Sequence, residues 1–255
     1  KFEFRAPGAS QAMAIPVMAL LTVWAAGMEK FLGFFEEEIN SGLDPVDAAI
    51  KTIRKVAAMS RNIRFEGNAY SANWHEEAER RGLLKAKTIP EGIDLFVEPS
   101  TIKMLEEMGV FSKKEIEAFH TIKLEQFVKS IEIEMSVLRD MVWEGILPAL
   151  SKQILLEKSS RDAVAGYGLP SFEKWDKLLV RLASAKLDLI EKTAELAALR
   201  EKMAQMTARD HAEEIVKSAM PLMLEIRKVA DSVEIFFSSE NMPYPNYRNL
   251  LSLSA

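Results

Sequence analysis

The sequence predicts a mainly α protein: a long antiparallel helical hairpin or bundle, preceded by a short strand stub. Two observations predict the helices. Two late series of apolar residues step by three and four, out of phase with each other around a break at 207–210. Cap residues and prolines also recur where helices begin. The stub rests on a third observation, strict alternation confined to the first five residues.

Phe2 and Phe4 alternate with Glu3 and Arg5 before Pro7-Gly8 end the pattern. That is strand periodicity, with two aromatic residues on one face and two opposite charges on the other. A lone strand leaves its backbone hydrogen bonds unmet, so its sheet must lie elsewhere. The stretch 6–28 carries no charge. Its Pro7, Gly8, Ser10, Gln11 and Pro16 make a helix in a protein core a better reading than a membrane span, which needs about 20 apolar residues. A helix from about Gln11 to Asn40 should end near Gly42, with Glu36-Glu37-Glu38 a solvated helix end.

Asp44-Pro45-Val46-Asp47 places a cap, a proline at the first helical position and an acid in the first turn. That helix should reach about Met59. Ser71 opens another, closed by Gly82, and short pieces broken by Pro90, Gly92 and Pro99 follow as far as Gly109. Ser112-Lys113-Lys114-Glu115 is a capping box. The helix it starts should run past Ser151 with a bend near Gly145 and Pro148. Residues 159–170, with Gly166 and Gly168, read as a loop. Trp175, Leu178, Leu182, Ala185, Leu189, Leu196, Leu199, Met203 and Met206 then form the first arm of the hairpin, broken only by Lys192. Ile215, Ala219, Leu222, Ile226, Val229, Val233 and Phe236 form the second. Asp210 is the candidate cap between them, and Pro221 should kink the second arm.

Composition excludes several classes. Net charge is −5 with signs mixed along the chain, so no basic patch offers a footprint for nucleic acid. Cysteine is absent, which rules out disulfides and thiolate metal sites. Neither a Gly-x-x-x-x-Gly-Lys loop nor a Gly-x-Gly-x-x-Gly fingerprint occurs. Glu117-x-x-His120 has the spacing used in di-iron bundles, but that site needs the motif twice and neither His75 nor His211 supplies the second copy. The thirteen methionines fall mostly at helical core spacing, which predicts packing. Glu3 and Arg5 share one strand face, where a carboxylate suits a hard divalent cation and a guanidinium grips phosphate or carboxylate. From spacing alone, a surface ion pair on an edge strand is the favoured alternative.

Several stretches resemble the C-terminal part of glutamine synthetase, specifically its type III form. They are 1–11; Arg64-Phe65-Glu66-Gly67-Asn68-Ala69-Tyr70-Ser71 with Trp74 and Glu77-Ala78-Glu79-Arg80-Arg81-Gly82-Leu83; Ile146-Leu147-Pro148-Ala149; Met220-Pro221 with Ile226-Arg227 and Ala230-Asp231; and the tail 242–251. The resemblance implies that residues 1–60 end an α+β catalytic domain with its last barrel strand. It further implies a helical extension over 61–236 and a C-terminal tail over 237–255. It implies a parent enzyme that phosphorylates glutamate with ATP and then lets ammonia displace phosphate, using Mg2+ or Mn2+. Glu3 would be a metal ligand, and Arg5 a catalytic residue that also binds substrate. Ala6, Ala9 and Ala12 are smaller than that family often places there, so no substrate contact is assigned to them.

The chain should be inactive alone, a piece lacking most of the active site, with no cofactor of its own. The parent is expected in the cytoplasm as a homo-oligomer, with glutamate, ammonia and ATP as ligands and neither nucleic acid nor membrane as partner. The alternative is a helical interaction module without catalysis.

Overall fold

The computed structural model describes residues 12–68, 72–83, 86–168, 171–245 and 250–251. Among them all regular structure is helical, with no strand. The expected strand at 1–5 lies outside the described residues. The chain divides after His120 into two compact units, 1–120 and 121–255.

In the first unit, α1 (Ala14–Asn40) and α2 (Pro45–Met59) form a paired hairpin. The turn between them needs Gly42, whose φ of 94° is costly for any residue with a Cβ. Asp44 then caps α2, its Oδ1 accepting from the backbone N–H of Val46 at 3.0 Å and of Asp47 at 3.4 Å. Ala48 and Thr52 of α2, with Thr22 of α1, are buried. The acidic end of α1 is not simply solvated as expected. Glu38 meets Lys51 at 2.6 Å and Glu37 meets Lys55 at 3.1 Å, which ties the two helices in antiparallel register.

The apolar segment was expected in a core, but within the described residues Thr22 alone of α1 is buried. Val17, Leu20, Leu21, Trp24, Met28 and Leu32 recur at helical spacing and are 40–65% exposed. The physical reason is that α2 covers one side of a 27-residue helix and the described residues supply nothing for the other. Met28 and Met59 are likewise exposed, so core packing does not describe every methionine.

Beyond a short 3-10 turn (Ser60–Ile63) come α3 (Ala72–Arg80), α4 (Ile89–Asp94), a second 3-10 turn (Leu95–Val97) and α5 (Pro99–Glu107). Pro90 and Pro99 open these helices rather than breaking them, because a first-turn residue has no helical partner for its N–H anyway. Gly92 lies inside α4. The capping box forms as expected ahead of α6 (Lys113–Asp140): the Ser112 N–H donates to Glu115 Oε2 at 2.8 Å, and the Glu115 N–H donates to Ser112 Oγ at 3.4 Å.

In the second unit, α6 runs through a π-helical stretch (Met141–Ile146) into α7 (Leu147–Ala163), so the regular α-helix is interrupted beside Gly145 and Pro148, where the sequence predicted a bend. The expected loop starts later than 159. Lys158–Asp162 and Arg161–Asp176 ion pairs at 2.9 Å accompany a last turn that extends to Ala163. The hairpin follows: α8 (Glu173–Met203) packs along α7 and along α10 (Met220–Glu234). A short α9 (Ala208–Glu214) and a second π-helical stretch (Ile215–Ala219) lead into α10, just ahead of Pro221. The cap of α9 is Thr207 and not Asp210. Thr207 Oγ1 accepts from the Asp210 N–H at 3.2 Å and donates to the Asp210 carboxylate at 2.8 Å. Leu182, Leu189, Leu196, Met203, Ile215, Ile226 and Val233 form the core between the arms.

Candidate functional site

Glu3 and Arg5, the residues assigned by resemblance, lie outside the described residues. Among the described residues no group of three or more His, Asp or Glu is arranged to hold a metal ion. His120 Nε2 instead meets Asp94 Oδ1 at 2.8 Å beside Phe96 and Phe119, whose rings stand 5.0 Å apart. His211 is 7% exposed, and its Nε2 lies 3.9 Å from Glu132 Oε1 without a hydrogen-bond partner.

Three local arrangements are built from distant residues. The first gathers the stretch around Phe65. Its ring lies 4.2 Å from that of Trp74 in α3, and the Arg81 guanidinium sits 5.7 Å and 5.8 Å from the two rings. Arg81 donates to the backbone carbonyls of Arg64 at 2.8 Å and Asn62 at 3.3 Å. Glu77 accepts from both Arg80 and Arg81, and these bonds, Arg80 first, hold its carboxyl down at about 2. The arrangement fastens an irregular segment onto α3.

The second is a seat for the C-terminal region. Tyr244 donates its hydroxyl to the Met141 carbonyl at 2.9 Å, across more than a hundred residues. Its ring lies against Gly145, where an added Cβ would meet Tyr244 Cζ at 2.6 Å and Cε2 at 2.7 Å. Burial and the nearby Glu144 charge push the Tyr244 phenol up.

The third is a groove of about 310 Å³ between α6 and α8. Glu132, Met135, Ser136 and Arg139 line it from α6, and Thr193, Leu196, Ala197, Arg200, Glu201 and Ala204 line it from α8. Trp143 Nε1 donates at 3.1 Å to Oγ1 of Thr193, one of these lining residues. Thr193 already donates to the Leu189 carbonyl at 2.7 Å. Arg139 bonds the adjacent Asp140, while Arg200 has no acid partner among the described residues.

The family described as Glutamine synthetase C-terminal domain matches residues 48–160. That segment is similar to the C-terminal domain of glutamine synthetases. The chain's relatives agree. The chain is 29% identical to the type-3 glutamine synthetase of Dictyostelium discoideum over 99% of its length and 35% of that protein. It is 27% identical to a glutamine synthetase of Bacteroides fragilis (strain YCH46) over 98% and 35%, and 28% identical to one from Butyrivibrio fibrisolvens over 82% and 30%. The chain thus spans about a third of the length of the curated relatives it matches.

The match to the C-terminal domain starts inside α2 and ends inside α7. It contains the Phe65–Trp74–Arg81 arrangement and Gly145. It excludes α1, α8 and α10, which only the alignments with whole relatives reach. Sequence reasoning missed the groove and the tyrosine seat. A glycine inside a helix at position 145 was a legible signal for the seat, since glycine costs about 1 kcal/mol there relative to alanine. Nothing in the spacing of 132–139 and 193–204 marked the groove, because both stripes read as ordinary helix faces.

Proposed function

We propose that this chain is the carboxy-terminal portion of an ATP-dependent glutamine synthetase, in which residues 1–60 complete the catalytic domain and the helices after them form an extension. The observation that carries the reading is α1. It presents an uncovered apolar stripe directly after the segment holding Glu3 and Arg5, and a stripe of that size calls for a covering partner. The catalytic portion carried by the much longer relatives is the natural cover.

In this reading Glu3 supplies one carboxylate to a divalent Mg2+ or Mn2+ and Arg5 faces glutamate or the phosphoryl group. When bound, the metal would neutralise charge on the transferring phosphoryl group. The other ligands and the ATP site are placed, in this reading, in the part of the parent outside this span. The chain by itself is therefore assigned no turnover. The parent is proposed as a cytoplasmic homo-oligomer. The second reading is an interaction module, favoured by the long hairpin, in which the helices alone are the function.

Glu3→Ala in the intact parent separates the two. Glutamine formation from glutamate, ammonia and ATP should fall to background while the sedimentation profile is unchanged. Full activity in that variant removes Glu3 from the metal site, and a parent without ligase activity leaves the interaction module.

A further inference from the structure

We propose that the groove between α6 and α8 is a binding site for a small zwitterion of the α-amino acid class. The bond between Trp143 and Thr193 fixes how the two antiparallel helices face each other. Arg139, Ser136 and Glu132 from α6 share the groove wall with Ala197, Arg200 and Ala204 from α8. Each helix thus mixes long charged side chains with small residues on this wall. A bundle normally fills facing positions with interlocking apolar side chains. Here the mixture leaves a hollow with Met135 and Leu196 at its base, within the size range of small-molecule sites.

The charges define the ligand. Arg200 is half-buried with no acid partner among the described residues, and Arg139, also on the wall, has one nitrogen not bonded to Asp140. Guanidinium groups in that position suit a carboxylate through paired hydrogen bonds. At the other end Glu132 is largely withdrawn from solvent, its side chain 18% exposed. It is engaged only loosely, by Lys129 at 3.6 Å and by the buried His211 at 3.9 Å. Glu201 adds a second carboxylate. A purely anionic ligand would meet Glu132 and Glu201 unfavourably, and a purely cationic one would meet Arg139 and Arg200. A molecule with a carboxylate and an ammonium a few ångströms apart satisfies both ends. The hydroxyl of Ser136, which donates to the Glu132 carbonyl at 3.0 Å, keeps a free acceptor for that ammonium.

The site does not depend on the ligase reading, and its test uses this chain alone. Saturation-transfer NMR and calorimetry on the 255-residue protein would use glycine, L-serine, L-glutamine and L-phenylalanine as probes, with succinate, inorganic phosphate and putrescine as single-charge controls. At least one amino acid should bind in preference to all three controls. Arg200→Gln and Glu132→Gln should each weaken that binding at least tenfold, and Arg227→Gln, on α10, should leave it unchanged. Ala197→Leu, which fills the hollow without touching a charge, should abolish it and replaces Arg200→Gln if that variant fails to fold. The proposal is overturned if no amino acid binds, if succinate, phosphate or putrescine binds as tightly, or if binding survives the substitutions in the groove.

Discussion

At the scale of single residues, Gly145 is where two opposed rules meet. Inside a helix, glycine to alanine normally stabilises by up to about 1 kcal/mol. Here the new methyl would drive into the Tyr244 ring, and overpacking of this kind costs about 1–3 kcal/mol. Gly145→Ala should therefore destabilise the protein in urea unfolding. In a Tyr244→Ala background the same substitution should stabilise it. A double-mutant cycle gives the coupling directly, and additive effects would mean that the tyrosine is not seated there. Thr193 teaches a related point. Lys192 interrupts the apolar series in the sequence, yet the position that enters the core is its neighbour Thr193, 1% exposed. A buried threonine is acceptable because its hydroxyl accepts from Trp143 and donates to Leu189, so no polar group is stranded. Lys192 meanwhile reaches out to Glu225 of α10 at 2.5 Å.

At the scale of elements, the fastening of the segment around Phe65 onto α3 is sensitive to acid. The Glu77 carboxyl titrates near 2 in the folded protein, below its ordinary 4.5, because Arg80 and Arg81 bond the ionised form. A lowered folded value means that the contribution is complete above about pH 4.5 and is lost as pH falls from there toward 2. Trp74 fluorescence should report loosening across that window, and Glu77→Gln should flatten the change while lowering the high-pH signal toward the acid form. A pH profile unaltered by the substitution would dissociate Glu77 from the fastening.

Most helix starts were legible because a cap is a local device. Asp44, Ser112 and the prolines act within four residues of themselves. The misreadings came where local signals compete. Thr207 and Asp210 are both good caps, and the hydroxyl prevailed at the helix start while the acid took the first turn, where it faces free N–H groups. The loop expected from 159 begins only after Ala163, where Lys158–Asp162 pairs neighbouring turns of α7 and Arg161–Asp176 ties α7 to α8. The groove was illegible for a different reason: it is a relation between two faces, and neither stripe alone records what the other contributes.

At the scale of the whole molecule, the two compact units differ in how fully they cover themselves. In the second, both arms of the hairpin have buried seams. In the first, α1 leaves Val17, Leu20, Leu21, Trp24, Met28 and Leu32 open to solvent, and its length and composition alone would also let it cross a bilayer. The isolated chain should therefore self-associate with rising concentration in sedimentation velocity. Leu21→Glu with Trp24→Glu should shift it toward the monomer without lowering helical content by circular dichroism. If the double variant associates as strongly as the parent sequence, the stripe is not the contact. The sequence marked this segment as apolar and helical but read it as buried, since hydropathy records what a surface avoids and not which part of a protein covers it.

The tyrosine seat also sets an order of events during synthesis. Met141 and Gly145 leave the ribosome about a hundred residues before Tyr244 does. Throughout that interval the π-helical stretch lacks the ring that packs on it, and α8 and α10 are still being made. A growing chain can form α6 early, because helices are local, but the tyrosine contact comes only once residue 244 itself has emerged. A chain cut before Tyr244 lacks both the hydrogen bond to Met141 and the ring against Gly145.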